Sequence, residues 1–152
     1  MGENGGTTLS LSVRELGEDD YGRMRAFWEA VCFPLRDPGA ESREAVLRRM
    51  GLGTVVYLGL EAEEKLGGTA IVGTDGLDAW VRQVVVSHEA RAQDGVRVLL
   101  DAARARSAAW GAEHLYAMFA EPRGDLWKRC LAAGCERIQG RALLRLPVDS
   151  ES

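Results

Sequence analysis

The stretch between Val84 and Gly111 constrains the fold of this chain more than any other part of the sequence. The apolar run at positions 84–86 has the composition of a buried strand, and a short polar loop carrying Arg91 and Gly95 follows it. A strand, a tight loop and a helix in this order present backbone N–H groups to an anionic group, often a phosphate. The helical part has one buried face, made of Val96, Leu99, Leu100, Ala103, Ser107 and Trp110.

The overall composition favours a single globular domain. Hydrophobic residues make up 46% and charged residues 28% of the 152 positions, an ordinary balance for a soluble protein. The net charge of −4 argues against nucleic acid as a partner, because phosphate backbones select basic surfaces. No apolar run approaches the roughly 20 residues of a membrane span, and the first residues lack the pattern of a secretory signal or a lipid anchor. We therefore expect a cytoplasmic protein without a membrane partner.

The cysteines and histidines predict no metal site. None of the 3 cysteines forms a C-x-x-C pair, and the 2 histidines, His88 and His114, are far apart in the sequence. Free thiols fit a reducing compartment, which agrees with the expected cytoplasmic location.

Hydrophobic periodicity and turn residues predict alternating strands and helices along the chain. Residues 1–8 are expected to be a Gly-rich tail, residues 9–148 one domain and residues 149–152 a second tail. A mixed sheet with helices on both faces is the natural architecture for this order. The predicted strands are Leu9–Val13, Thr54–Leu60, Leu66–Gly73, Ala79–Val86, His114–Phe119, Cys135–Ile138 and Ala142–Val148, and the predicted helices are Glu18–Val31, Ser42–Met50, Gly95–Trp110 and Asp125–Ala133.

The central segment carries the positions of a known motif, V-x-P-x-x-R/Q-x-x-G-x-G/A, followed by an apolar pair three and four positions later. In this chain the motif positions are occupied in order by Val86, His88, Arg91, Asp94 and Val96, with Leu99 and Leu100 as the apolar pair. In this register and with this order of elements, residues 9–148 resemble the GNAT (GCN5-related N-acetyltransferase) superfamily. The proline and both glycines of the motif are replaced, and Gly95 lies between the two glycine positions.

A second family motif, N-x-x-A-x-x-x-Y-x-x-x-G-F, is eroded further. It falls on Arg123, Leu126, Cys130, Gly134 and Cys135, so only the glycine is retained. The resemblance implies an α/β (α+β) fold, with a mixed, mostly antiparallel, twisted sheet of roughly six to seven strands and about four helices on both faces. It identifies the chain as a divergent member with degenerate motifs.

The resemblance also implies acetyl-CoA as the acyl donor. In this superfamily the loop amides and the helix N-terminus hold the pyrophosphate, and the strand before the loop pairs its backbone with the pantetheine arm. An oriented set of N–H groups and the partial positive charge of a helix start suit any anion. The residues carried over to these roles are Val84, Val85, Val86, Arg91, Ala92, Gln93, Asp94, Gly95, Val96 and Arg97.

Asp94 is the departure with the largest expected consequence. Its carboxylate repels a pyrophosphate, and its β-carbon stands where a glycine would let the backbone approach the ligand. Asp is also a strong N-cap, so its side chain is expected to accept hydrogen bonds from the first turn of the following helix and leave no room for phosphate. Arg91, Gln93 and Arg97 either offset this loss by contacting phosphate or are ordinary surface residues, and both interpretations stay open.

The chemistry implied by the resemblance is attack of an amine on a thioester, with one group to remove a proton and another to protonate the leaving thiolate. Cys130 occupies the position of the family's tyrosine acid, although a buried apolar cysteine is the simpler interpretation. Tyr116 is the alternative acid. Asp78 and Glu121 are the candidate bases, with His88 as a lesser candidate because it titrates near neutral pH.

The predicted function is N-acetyl transfer from acetyl-CoA to an unidentified small-molecule or peptide amine. The alternative is a GNAT-fold protein that has lost catalysis and serves as a binding or interaction module with weak or no CoA binding. A homodimer is a family-level expectation. The acceptor would be set by the helices and loop between Tyr21 and Met50, whose mixed composition specifies no substrate.

Overall fold

A mixed sheet of five strands forms the centre of the structure, a computed structural model that describes residues 10–31, 41–118 and 124–138. Within these residues the strands lie side by side in chain order, and the first four are antiparallel to their neighbours. Only the last pair is parallel. The strands are β1 (Leu11–Leu16), β2 (Val55–Ala62), β3 (Lys65–Thr74), β4 (Ala79–Val86) and β5 (Leu115–Ala117).

Helices cover both faces of this sheet in the described part of the chain. On one face the first two helices bury Trp28 and Val46 in a cluster with Tyr57 of β2. On the other face the longest helix buries Leu99 in a cluster with Val81 of β4. None of these helices is long and apolar enough to cross a lipid bilayer. They are α1 (Tyr21–Ala30), α2 (Arg43–Met50), α3 (His88–Ala92), α4 (Gly95–Ala109) and α5 (Asp125–Ala132), with a 3-10 turn (Glu18–Asp20) before α1.

Asp20 joins the end of β1 to the start of α1. Its carboxylate accepts hydrogen bonds from Arg14 Nη2 (2.6 Å) and Nη1 (3.0 Å) and from the Gly17 N–H (2.8 Å). The hydrogen-bonded Arg14 guanidinium is the main reason why the pKa of Asp20 is lowered to about 2. This contact fixes how the chain leaves the first strand and enters the helix layer.

A β-bulge interrupts β4. The pairing of β3 with β4 shifts register between Thr69 and Ile71, so that Gln83 and Val84 lie opposite a single residue of β3. Gln83 adopts a left-handed backbone conformation, with φ of 50°. Bulges of this kind bend a strand and redirect its side chains, and they occur often beside active sites.

The strands β4 and β5 are paired over only a short length. Residues Ala79–Val81 pair with Leu115–Ala117, and the Met118 N–H donates to Val81 O (3.0 Å). Beyond this point no residue that the structure describes pairs with β4 on its β5 side. The 84–86 stretch therefore presents backbone N–H and C=O groups along an open strand edge.

Most of the predicted elements are confirmed, and the mostly antiparallel sheet with helices on both faces is as predicted. The strand predicted at Ala79–Val86 has those bounds. The segment predicted as a strand at Cys135–Ile138 is irregular, because the Cys135 N–H donates to Cys130 O (3.1 Å) and closes the end of α5. The described residues hold five strands, fewer than the expected six to seven. The strand predicted at Ala142–Val148 and both predicted tails lie outside the described residues.

Candidate active site

The predicted loop after β4 contains an additional short helix. The helix α3 begins after Ser87, whose Oγ accepts a hydrogen bond from the Ala90 N–H (3.2 Å). It ends at Ala92. After Gln93, Asp94 turns the chain into α4 with φ of 64° and ψ of 29°. The sequence does contain the capping signal, a serine followed by an acidic first turn at Glu89.

Asp94 does not cap α4 with its side chain, so the predicted self-capped loop is wrong. An Asp caps a helix from an extended backbone, which aims its carboxylate at the second and third amides of the helix. In the left-handed conformation of Asp94 the carboxylate makes no such hydrogen bond. It accepts one from Arg97 Nε instead, at 3.1 Å. Asp is among the few residue types besides glycine that enter this region readily, so its backbone takes the shape that a glycine would have there.

The first amides of α4 are left open by this arrangement. Within the described residues no acceptor is recorded for the N–H groups of Gly95, Val96 and Arg97, and the first helical bond runs from the Val98 N–H to Asp94 O (3.2 Å). Unpaired N–H groups at a helix start, with the helix dipole behind them, form a site suited to an anion.

Gly95 allows the close contact between α3 and α4. A β-carbon added there would lie 2.6 Å from Ala90 O and 2.9 Å from Leu60 Cδ2. A side chain at position 95 would therefore force the two helices apart. The glycine thus has a packing role, one residue away from the positions where the family motif places its glycines.

Two arginines flank the open amides with different partners. Arg97 is bound on both sides, because its Nε donates to Asp94 and its Nη2 donates to Ala132 O (2.8 Å). Arg91 Nη1 donates to Asp125 Oδ2 at 3.4 Å, a long contact. Arg91 Nε is buried and has no hydrogen-bond partner in the part of the chain that the structure describes. Arg91 is therefore the arginine with a free donor.

A cavity of about 550 Å³ runs from the open edge of β4 to this loop. Its lining joins the C-terminal half of β4 to the end of α1 and the start of α5, and includes Val84, Val86, His88, Arg91, Val31 and Leu126. Of the remaining predicted cofactor residues, only Val85 lines it. Ala92 is exposed and Gln93 half-buried, whereas the Val96 side chain is in the hydrophobic core and offers only its amide to the loop.

The predicted catalytic residues Asp78 and Tyr116 lie at the opposite end of β4. Asp78 directly precedes the strand and its Oδ1 contacts His114 Nδ1 at 3.2 Å. Tyr116 pairs with Trp80, also near the start of the strand. At about 3.3 Å per residue, Trp80 is about 20 Å from the loop along the strand. The structure thus groups Asp78 and Tyr116 near His114 and separates both from the loop.

Cys130 is a core residue. It is buried in the cluster between α4 and α5, and burial, together with the neighbouring Cys135, raises the pKa of its thiol to about 12. The interpretation of Cys130 as a buried apolar cysteine is confirmed. Glu121 lies outside the described residues.

A polar cluster that the sequence did not reveal lies on the α1–α2 face, beside the bulge. Gln83 Nε2 donates to Glu41 Oε1 at 3.2 Å, and Glu41 is only 2% exposed. The phenol of Tyr57 is also buried, and its pKa is raised to about 12, mainly by burial and further by the charge of Glu41. Glu41 Oε2, Gln83 Oε1 and Tyr57 OH have no hydrogen-bond partner among the described residues. The sequence predicts only a loop around Glu41, because its burial depends on tertiary packing and leaves no signal in the neighbouring residues.

Comparison with known proteins identifies the fold. No protein-family model matches the sequence, and no protein of curated function is significantly similar to it. The aminoglycoside N-acetyltransferase AAC(6')-Iy, solved with CoA, matches with a TM-score of 0.75 and 13% identity over 97% of this chain and 100% of its own. The antibiotic 6'-N-acetyltransferase AAC(6')-Ih from Acinetobacter baumannii matches with a TM-score of 0.73 and 9% identity over 92% and 100%.

A protein-modifying enzyme has the same fold. The ribosomal-protein-alanine N-acetyltransferase from Brucella melitensis biovar Abortus 2308 matches with a TM-score of 0.67 and 14% identity over 90% of this chain and 99% of its own. At these identities the likeness concerns the fold alone. The chain therefore has the GNAT fold, and the divergence of its sequence agrees with the eroded motifs.

Proposed function

We propose that this protein is an N-acyltransferase that uses acetyl-CoA and an amine acceptor. The observation that carries the proposal is the open first turn of α4, where the Gly95, Val96 and Arg97 amides lack acceptors among the described residues. A helix start without a side-chain cap suits the pyrophosphate of CoA. The nearby free Nε of Arg91 adds a charged donor.

The groove beside β4 fits the rest of the donor. The backbone of Val84–Val86 lines the cavity along an edge with no strand partner among the described residues. Its N–H and C=O groups would pair with the amides of the pantetheine arm, which needs no particular side chain. In this placement the reacting end of the donor lies along β4 towards the bulge at Gln83.

The bound donor supplies a thioester, whose carbonyl carbon forms a bond to the acceptor nitrogen while the carbon–sulfur bond breaks, the nitrogen loses a proton and the thiolate gains one. The chain's own contribution is to orient both reactants and to keep water out of the groove. The burial of the Cys130 thiol, with its pKa raised to about 12, supports a packing role over proton transfer for this residue. Asp78 and Tyr116 lie near the other end of β4, so a role for either requires a reacting group that extends to that end.

The acceptor is proposed as a small-molecule or peptide amine. Among the proteins of this fold, some are named as acetyltransferases of aminoglycosides and one as an acetyltransferase of a ribosomal protein. Both kinds of acceptor present an amine to the same fold. A cytoplasmic location is proposed with this activity, because Cys130 and Cys135 are free thiols, which fit a reducing compartment.

The alternative is a GNAT-fold protein that has lost catalysis and serves as a binding or interaction module with weak or no CoA binding. The buried Cys130 at the position of the family's tyrosine acid, and the carboxylate of Asp94 beside the open amides, favour this alternative.

Calorimetric titration with CoA, followed by a thiol-release assay with acetyl-CoA and a panel of primary amines, separates the two. The proposal predicts saturable CoA binding and amine-dependent thiol release. Binding without release for any amine would favour the module, and no saturable heat at millimolar CoA would exclude the enzyme.

A further inference from the structure

The buried cluster beside the bulge contains more hydrogen-bond acceptors than donors. Glu41 Oε1 accepts from Gln83 Nε2, but Glu41 Oε2, Gln83 Oε1 and Tyr57 OH have no partner among the described residues. Glu41 is 2% and Tyr57 1% exposed, so bulk water does not satisfy these oxygens. Buried polar atoms without partners are uncommon, and three in one cluster indicate that a group rich in donors belongs there.

The two described arginines nearest to Tyr57 do not fill this role. Arg49 and Arg82 are close enough to Tyr57 to lower its pKa by their charges. Arg49 Nε, however, donates to Ala45 O (3.3 Å), and Arg82 is exposed. Neither arginine forms an ion pair with Glu41 in the described part of the chain.

The geometry points to a binding site for a primary ammonium group, formed by Glu41 Oε2, Gln83 Oε1 and Tyr57 OH. An alkylammonium has three N–H donors and no acceptor, which matches one carboxylate oxygen, one amide oxygen and one phenol oxygen. The pairing of Gln83 Nε2 with Glu41 fixes the side-chain amide so that its oxygen stays free. The charge of Glu41 makes the hydrogen bond to a cation stronger than one to a neutral donor.

The position of the cluster links it to the proposed reaction. Gln83 forms the bulge of β4, and Val84–Val86 continue the same strand into the groove assigned to the acyl donor. This inference rests on the proposed function in naming the acceptor class, a primary amine that arrives protonated and gives one proton to the Glu41 carboxylate before its nitrogen attacks the thioester. The test of the ammonium site needs no acyl donor, so the ammonium site and the proposed acyl transfer can fail separately.

The experiment follows the side-chain amide of Gln83 in ¹H–¹⁵N NMR spectra during titration with n-butylammonium. Two probes serve as controls, since n-butanol lacks the charge and butyltrimethylammonium lacks the N–H donors. The inference predicts a saturable shift with n-butylammonium and no saturable shift with n-butanol. It also predicts that butyltrimethylammonium binds at least roughly tenfold more weakly than n-butylammonium. Equal responses to the three probes, or no saturable response to n-butylammonium, would overturn it.

Variants separate the charge of Glu41 from its surroundings. Glu41→Gln should weaken n-butylammonium binding roughly 10- to 100-fold, while Glu44→Gln, an exposed neighbour in the first turn of α2, should leave it unchanged. Tyr57→Phe removes one acceptor and should weaken n-butylammonium binding roughly threefold or more. If the Glu41→Gln variant does not fold, Tyr57→Phe is the deciding variant. Wild-type affinity in the folded variant would contradict the site. The amides of Gly95–Arg97, followed in the same spectra with CoA, report on the acyl-donor site independently.

Discussion

The carboxylate of Asp94 accepts a hydrogen bond from Arg97 Nε, at 3.1 Å, and not from the amides of the helix that it precedes. The left-handed backbone of Asp94 is the reason, because it turns the side chain away from the helix start. The residue that would most strongly oppose a phosphate by its charge therefore leaves the first amides of α4 unpaired. The salt bridge with Arg97 also reduces that opposition.

Asp94→Asn should tighten CoA binding. The change removes a negative charge near the pyrophosphate and retains a residue type that accepts the left-handed conformation. At a solvent-exposed position the gain is about 0.5–1 kcal/mol, or roughly two- to fivefold in Kd. Calorimetry measures it, with Asp101→Asn on an exposed part of α4 as the control. An unchanged or weaker affinity in Asp94→Asn would show that the carboxylate is not beside the phosphate.

Arg91→Gln should weaken CoA binding by roughly tenfold or more, because a charge-assisted hydrogen bond to phosphate is lost. Arg91 is expected to matter more than Arg97, since Arg97 is already engaged with Asp94 and Ala132 O. The matched control is Arg104→Gln on α4, where the arginine pairs with Asp101. Equal CoA affinities for the Arg91 and Arg104 variants would remove Arg91 from the site.

Cys130→Ala should reduce stability and leave turnover intact. The thiol is buried in the core, and its removal leaves a small cavity there. We expect this cavity to lower the free energy of unfolding by about 1–2 kcal/mol. The kcat of thiol release and its pH dependence should stay within about twofold, because the thiol, with its pKa raised to about 12, gives up no proton near neutral pH. Cys135→Ala, at a half-buried position, is the control for stability. A large fall in kcat without unfolding would restore Cys130 as the acid.

Asp20 should make stability depend on acid pH. Its pKa is lowered to about 2, mainly by Arg14. The ionised carboxylate therefore contributes fully to the free energy of unfolding above its unfolded pKa of about 3.9, and this contribution is lost as the pH falls towards 2. A shift of this size corresponds to about 2.5 kcal/mol, and screening by solvent reduces this figure.

Urea unfolding tests this contribution. Asp20→Asn should be less stable than wild type at pH 7, and the difference should shrink at about pH 2.5. Asp19→Asn changes an exposed carboxylate in the same turn and should show no such pattern. A difference between Asp20→Asn and wild type that is the same at both pH values would rule out the ion pair as its source.

Local sequence patterns predicted the elements that carry a clear periodicity. The apolar run of β4 and the buried stripe of α4 gave the correct strand and helix, since both signals arise from burial on one face. The short helix α3 was missed because its capping serine precedes only five helical residues, too few to show a period. The capping prediction for Asp94 failed for a different reason. It assumed an extended backbone at Asp94, whereas Asp94 has a left-handed backbone conformation and precedes Gly95, which packs closely against Ala90 O.

The sequence analysis indicated the segment of the candidate site but not the state of its groups. It pointed to the loop and the first turn of α4, yet expected Asp94 to cap the amides that the structure leaves unpaired. The cluster of Glu41, Tyr57 and Gln83 brings together residues from three separate segments. Spacing within any one segment therefore does not predict it. The sequence order places Asp78 at the start of β4, but only the pairing of Tyr116 with Trp80 shows that Tyr116 lies at the same end.

The open helix start is the central claim, and the amide resonances of Gly95, Val96 and Arg97 test it most directly. We expect all three to shift saturably in ¹H–¹⁵N spectra when CoA is added, to shift with inorganic pyrophosphate as well, and to stay in place with pantetheine, which lacks the pyrophosphate. Unchanged resonances at millimolar CoA would contradict the account.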